Sequence, residues 1–189
     1  MLSDTLPDST DAASLPRAPR WEWLIVGVAI GLALALGLSN LGTPSLWHDE
    51  LIHTFVGKSI AETGRAELPS GTPYRNGTTH NVIIAVMIKM FGMSETTLRL
   101  PSVLLASINV LLIYLLTRPL LGRNTALVAA IALALSPWAI AWSREARFYT
   151  LQQTLFLLVL LYFWKCFEHK NTRTSLECVS SAKVGHIVS

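Results

Sequence analysis

The sequence predicts an all-α, multi-pass membrane protein, with about four transmembrane helices and one long outer loop carrying membrane-surface helices. Three observations predict it. Of 189 residues, 51% are hydrophobic and only 14% are charged, where soluble domains carry about 25% charged residues. The mean hydropathy is +0.45. Four stretches of 17 to 25 residues carry no charge: Glu22 to His48, Arg99 to Arg118, Arg123 to Arg144, and Arg147 to Lys165. Only the connection from Thr43 to Thr97 is long. A compact soluble core, a disordered chain and a disulfide scaffold are excluded.

About twenty helical residues at about 1.5 Å rise cross a 30 Å hydrocarbon layer. Inside lipid each backbone amide must be paired within its own segment, so the runs are expected to be helices. The spans are placed near 22–42, 98–117, 124–142 and 148–165. Residues 1–21 read as a disordered cytoplasmic tail with Asp4, Asp8, Asp11 and three prolines. No small-x-small cleavage site follows the first span, which is therefore not read as a signal peptide. Residues 22–165 form the membrane domain and 166–189 a polar tail.

The formal charge is +3 and the pI about 9.1. The basic residues stand singly at helix ends rather than on one face, a membrane pattern and not a nucleic-acid surface. Arg17, Arg20, Arg118, Arg123, Lys165, Lys170, Arg173 and Lys183 fall on one side. Seven basic residues fall on the other, mostly in the long loop, which weighs less. The N-terminus is thus expected in the cytoplasm, with the protein in the cytoplasmic (inner) membrane. Cys166 and Cys178 follow the last span and form no metal knuckle.

The long loop, 43–97, carries its own structure. Residues 48–63 read as a short helix, and Pro69, Gly71, Pro73 and Asn76-Gly77 as turns. Residues 81–91 are too short to span and suit a helix along the membrane surface, with Lys89 reaching water. Gly27, Gly31 and Gly37 point to close helix packing.

Two constellations can carry chemistry. Leu46-Trp47-His48-Asp49-Glu50 places adjacent carboxylates where the first helix leaves the membrane. Such a carboxylate can take a proton from a hydroxyl or hold a divalent cation, and Asp49 and His53 would share a helix face. Equally, the pair can be a helix start stabilised by the macrodipole, with Trp47 as an interface anchor. In the second, Ser143-Arg144-Glu145-Ala146-Arg147-Phe148-Tyr149, two arginines three apart suit a lipid-linked phosphate. Interfacial anchoring, with Trp138, Trp142 and Tyr149 as an aromatic belt, is the competing reading. Arg99-Leu100-Pro101-Ser102 opens the second span, with Pro101 read as a first-turn residue. His80 is a lone loop histidine.

Ser45-Leu46-Trp47-x-Asp49-Glu50, Gly71-x-Pro73-Tyr74, Phe91-Gly92-x-Ser94-Glu95, Arg99-Leu100-Pro101-Ser102 and Ser136-Pro137-Trp138-x5-Ser143-Arg144-Glu145-Ala146-Arg147-x-Tyr149 occur in order. Together they resemble the N-terminal part of polytopic C-type glycosyltransferases. The group most similar holds dolichyl-phosphate-mannose-protein mannosyltransferases and bacterial lipid A aminoarabinose transferases. Where many relatives carry a His-Pro-Pro-like triplet, this chain has Thr79-His80-Asn81.

The resemblance implies transfer of a sugar from a polyprenyl-phosphate donor to a hydroxyl or phosphate on a lipid, glycan or protein acceptor. Asp49 and Glu50 map onto the acidic signature, Asp49 as general base or acceptor-orienting group and Glu50 assisting. Arg144, Arg147 and Arg99 would bind the donor phosphate. His53, Tyr74, His80 and Tyr149 are candidates for the cavity wall. The resemblance leaves a cofactor open, a divalent cation included. Family members run to several hundred residues, so this chain reads as the front of a longer enzyme. The alternative is a truncated non-catalytic membrane protein or a small helical subunit.

Overall fold

The computed structural model describes residues 19–43 and 45–168. They fold as seven α-helices: α1 (Arg20–Leu38), α2 (His48–Thr63), α3 (Thr78–Phe91), α4 (Glu95–Leu121), α5 (Arg123–Ala134), α6 (Pro137–Ser143) and α7 (Tyr149–Glu168). No strand forms among the described residues; one isolated antiparallel bridge, Glu67 to Pro73, pins the turn between α2 and α3. The N-terminal tail up to residue 18, and the C-terminal tail from residue 169 with Cys178, lie outside the described residues.

Local sequence starts and stops these helices. Ser94 caps α4, its hydroxyl accepting from the Thr97 N–H at 3.1 Å. Ser136 and Pro137 open α6 in the same way, with proline where its missing N–H costs nothing. Gly64 ends α2 in the left-handed region at φ 75°. Pro101 is a correction to the sequence reading. Because the Ser94 cap starts α4 at Glu95, Pro101 falls in the second turn, where its ring removes a helical hydrogen bond.

α4 is the central mast, packed on α1, α3, α5, α6 and α7. It runs antiparallel to α1, since Tyr114 and Arg118 near its end meet Glu22 at the start of α1. Val26, Ala29, Val110, Tyr114, Ala126, Leu127, Ala130 and Ala134 form the core between α1, α4 and α5. Its alanines let the helix axes approach, as in membrane bundles. Among the glycines, Gly37 makes a close approach: an added Cβ would lie 2.7 Å from Val103 Cγ1. Gly27 and Gly31 have nothing within 4 Å, so the expected glycine packing face reduces to Gly37.

Two described helices are long and apolar enough to cross a membrane, α1 and α4. At 19 and 27 residues they measure about 28 and 40 Å at about 1.5 Å per residue. α5 and α6 together would make a third span, but they are bent by 54°. The third expected span is thus not one straight helix, because Ser136-Pro137 ends α5 and caps a new helix. α7 occupies the place of the fourth expected span, but among the described residues only α1, α4 and the bent α5–α6 pair are long and apolar enough to cross. Leu24, Val28, Val128, Phe156 and Val159 remain exposed on the helix faces, an apolar surface that suits lipid better than water.

Candidate active site

The site is assembled where α2, the start of α4 and the link between α6 and α7 meet. Glu50 is the third residue of α2, and its carboxylate reaches back to accept from the Trp47 N–H at 3.0 Å. This is the acidic half of a capping box. The same carboxylate is fully buried and paired with Arg99 of α4. Arg99 Nε donates to Oε1 at 3.0 Å and Nη2 to Oε2 at 2.8 Å. The Ala146 N–H donates to Oε1 at 2.6 Å, tying in the α6–α7 link. Burial by itself would raise the Glu50 carboxyl. The hydrogen bonds from Arg99, Ala146 and Trp47, with the Arg99 charge, outweigh it and hold the group below the ordinary carboxylate range.

Arg99 also binds chain between α1 and α2. Its Nη1 donates to the Leu41 carbonyl at 2.9 Å and its Nη2 to the Ser45 carbonyl at 3.3 Å. With 2% of its surface exposed, the guanidinium is spent on the protein's own oxygens. This differs from the donor-phosphate contact expected of it.

Asp49, one residue earlier, points the other way. Its side chain is 57% exposed and accepts from Arg147 Nη2 at 2.5 Å. Arg147 lies 3.3 Å from Glu145 as well, and its guanidinium stacks over the Trp142 and Tyr149 rings at 5.8 and 5.9 Å. Burial raises the Glu145 carboxyl, and Arg147 opposes that rise. Arg144, half-buried, donates to the Asn40 carbonyl at 3.3 Å. The structure therefore brings Asp49, Arg147 and Tyr149 together on an accessible face.

His53, Tyr74 and His80 form a neighbouring cluster with Phe148. The His53 ring lies 5.9 Å from Tyr74, 5.8 Å from His80 and 5.7 Å from Phe148. His53 Nδ1 is bonded to Asn81 Oδ1 at 2.8 Å, which turns it away from the Asp49 partnership the sequence allowed. His80 is fully buried, and burial with the nearby His53 pushes its imidazole down to about 4. Among the described residues no three His, Cys, Asp or Glu side chains gather as a metal site.

Sequence reading missed the cluster at the opposite end of the bundle. Glu22 is fully buried, accepting from the Tyr114 hydroxyl at 2.7 Å and Arg118 Nε at 3.2 Å, with Arg123 Nε at 3.6 Å. Its signal was an acid in the first turn of a span facing two arginines. A carboxylate at the lipid boundary needs such partners.

The family model described as dolichyl-phosphate-mannose-protein mannosyltransferase matches residues 77–185. The chain belongs to this family. The matched part contains α3 to α7, with His80, Arg99, Arg144, Arg147 and Tyr149; Asp49, Glu50, His53 and Tyr74 precede it. Curated proteins and solved structures give no match. Membership supports a membrane glycosyltransferase-like chain working with a lipid-linked sugar.

Proposed function

We propose that the chain is the N-terminal, site-bearing part of a membrane glycosyltransferase. It moves a sugar from a polyprenyl-phosphate donor to a hydroxyl or phosphate acceptor at the outer face of the cytoplasmic membrane. The observation that carries this reading is the Asp49–Arg147 pair, held on an accessible face by the buried Glu50–Arg99 node. The N-terminus and the Arg118–Arg123 turn lie on the cytoplasmic side, and α2 and α3 on the outer side.

Asp49 accepts the proton of an acceptor hydroxyl while the hydroxyl oxygen attacks the anomeric carbon. The bond from that carbon to the phosphate oxygen breaks, and the polyprenyl phosphate leaves with the electron pair. Arg147 and Arg144 offset the charge gained by the phosphate. In the pair as it stands, Arg147 is engaged by Asp49, so an arriving phosphate competes for the guanidinium and frees the carboxylate. Glu50 and Arg99 are positioning residues, since both are buried and act through Asp49 and the α6–α7 link. A single displacement inverts the anomeric centre.

The test is transfer of labelled sugar by membranes containing the full chain or its Asp49→Asn variant. Asp49 is exposed, so the variant inserts normally while transfer falls about 10²- to 10⁴-fold, the contribution of a general base. Unchanged transfer overturns the assignment.

A further inference from the structure

A cleft of about 560 Å³ opens beside the Asp49–Arg147 pair, between the α5–α6 bend and the start of α7. Its walls are aromatic. Trp138 and Trp142 stack with ring centroids 6.1 Å apart and planes within 14°. Tyr149 meets Trp142 edge-on at 4.8 Å. Its polar groups are Ser136, Thr150 and Gln153. Arg147 lies over the Trp142 and Tyr149 rings, so the two aromatic walls also touch the acidic site.

We infer that this cleft is a subsite for a pyranose ring, resting on the glycosyltransferase reading of the adjoining site. A pyranose has one face of C–H groups, which packs on an aromatic plate, and a rim of hydroxyls, which needs hydrogen-bonding partners. Both are supplied. Thr150 is 3% exposed, and its hydroxyl meets no hydrogen-bond partner among the described residues. A buried hydroxyl without a partner is costly, and a ligand hydroxyl would relieve that cost. Gln153 Oε1 already accepts from Asn109 Nδ2 at 3.2 Å, which orients the amide with its nitrogen available as donor. The Ser136 hydroxyl oxygen accepts from the Ala139 N–H at 3.4 Å, so its proton can be given to a ligand.

An isoprenoid chain fits worse, because it would leave Thr150 unpaired. The bundle has a contrasting groove of about 270 Å³ between α1 and α5, lined by Leu24, Val28, Leu32, Ile131 and Leu135 without a polar side chain. That composition suits a hydrocarbon tail. The aromatic cleft does not share it. Its volume falls within the 300–1,000 Å³ of small-molecule sites.

The experiment is saturation-transfer NMR on the full chain in lipid nanodiscs. The probes are methyl pyranosides of mannose, glucose, galactose and arabinose, with farnesyl phosphate as the sugar-free isoprenoid. At least one pyranoside binds, with saturation reaching its ring protons. Trp138→Leu, at an exposed ring, and Thr150→Val, nearly equal in shape, each weaken that binding about tenfold, about 1.4 kcal/mol.

Farnesyl-phosphoryl mannose separates the sources of the ring. Trp138-dependent binding of mannose only when carried on the lipid phosphate identifies the donor sugar, and binding of the free pyranoside a glycan acceptor. The subsite is overturned if no pyranose binds either free or carried on the lipid phosphate, if binding ignores both variants, or if sugar-free farnesyl phosphate alone shows Trp138-dependent contacts. Pyranoside binding by a chain without transferase activity would sink the catalytic reading instead and leave the subsite standing.

Discussion

Arg99 of α4 grips both carboxylate oxygens of Glu50 of α2, at 3.0 and 2.8 Å, across 49 positions of sequence. The pair is shut away from solvent, yet it ties together Leu41, Ser45, Trp47 and Ala146. The neighbouring Asp49 is thereby set against Arg147.

Breaking that pair from one side strands a buried charge. Glu50→Ala or Arg99→Ala is expected to lower stability by about 3–5 kcal/mol, measured by thermal or denaturant unfolding in detergent. The double variant Glu50→Gln with Arg99→Met should recover much of the loss. The folded-state Glu50 pKa is lowered. Its contribution is therefore present above the unfolded carboxylate pKa and disappears as pH falls through the lower folded value. Single variants within about 0.5 kcal/mol of the parent would contradict this account, since ordinary surface substitutions already scatter that far.

Arg147→Lys keeps the charge but loses the planar fork and the stack on Trp142 and Tyr149. Transfer should fall about 10²-fold, the scale for losing one donor to a developing charge. Unfolding temperature should move little. A large stability loss at unchanged turnover would mark Arg147 as structural.

His80 gives a pH signature. Its imidazole is held down at about 4 in the folded protein, against an ordinary 6.5. The unfolded chain therefore binds more protons between these values, so this group costs stability as pH falls from about 6.5 toward 4. His80→Leu removes the titration. The difference in unfolding temperature between parent and variant should grow over that window in favour of the variant. Comparing the two chains cancels Glu50 and Glu145. A constant difference across the window counts against the burial argument.

Gly57 lets α2 close on α3. An added Cβ would sit 2.5 Å from Ile84 Cγ2, so Gly57→Ala should cost about 1–3 kcal/mol by overpacking. Gly31→Ala, with nothing within 4 Å, should be neutral or slightly stabilising through helix propensity. Equal effects of the two substitutions would show that α2 and α3 are not packed this closely.

Topology is checked at Gly71, exposed in the turn between α2 and α3. With Cys166 and Cys178 replaced by serine, Gly71→Cys should react with an impermeant thiol reagent in intact cells. Reaction only after lysis would reverse the proposed orientation.

Much of this arrangement was legible in the linear chain. The long uncharged runs located α1, α4 and α7 within a few residues. The 48–63 helix was read at its true bounds, because an acidic first turn and a glycine stop mark it locally. The break at Ser136-Pro137 was written in residues that start helices, yet uninterrupted hydropathy hid it. It was the resemblance that put Glu50 and Arg99 among the functional groups. Nothing local distinguishes a charge that meets substrate from one that meets another charge 49 positions away.

By itself, the sequence determined the membrane class, most of the helices and the identity of the charged residues near the boundary. Those follow from hydropathy, capping and composition, which act within a few turns. The tertiary structure decided which charges neutralise one another. Coulomb attraction and desolvation depend on distance through space. Burial consumed Glu50 with Arg99 and Glu22 with Tyr114 and Arg118, leaving Asp49 with Arg147 on the accessible face.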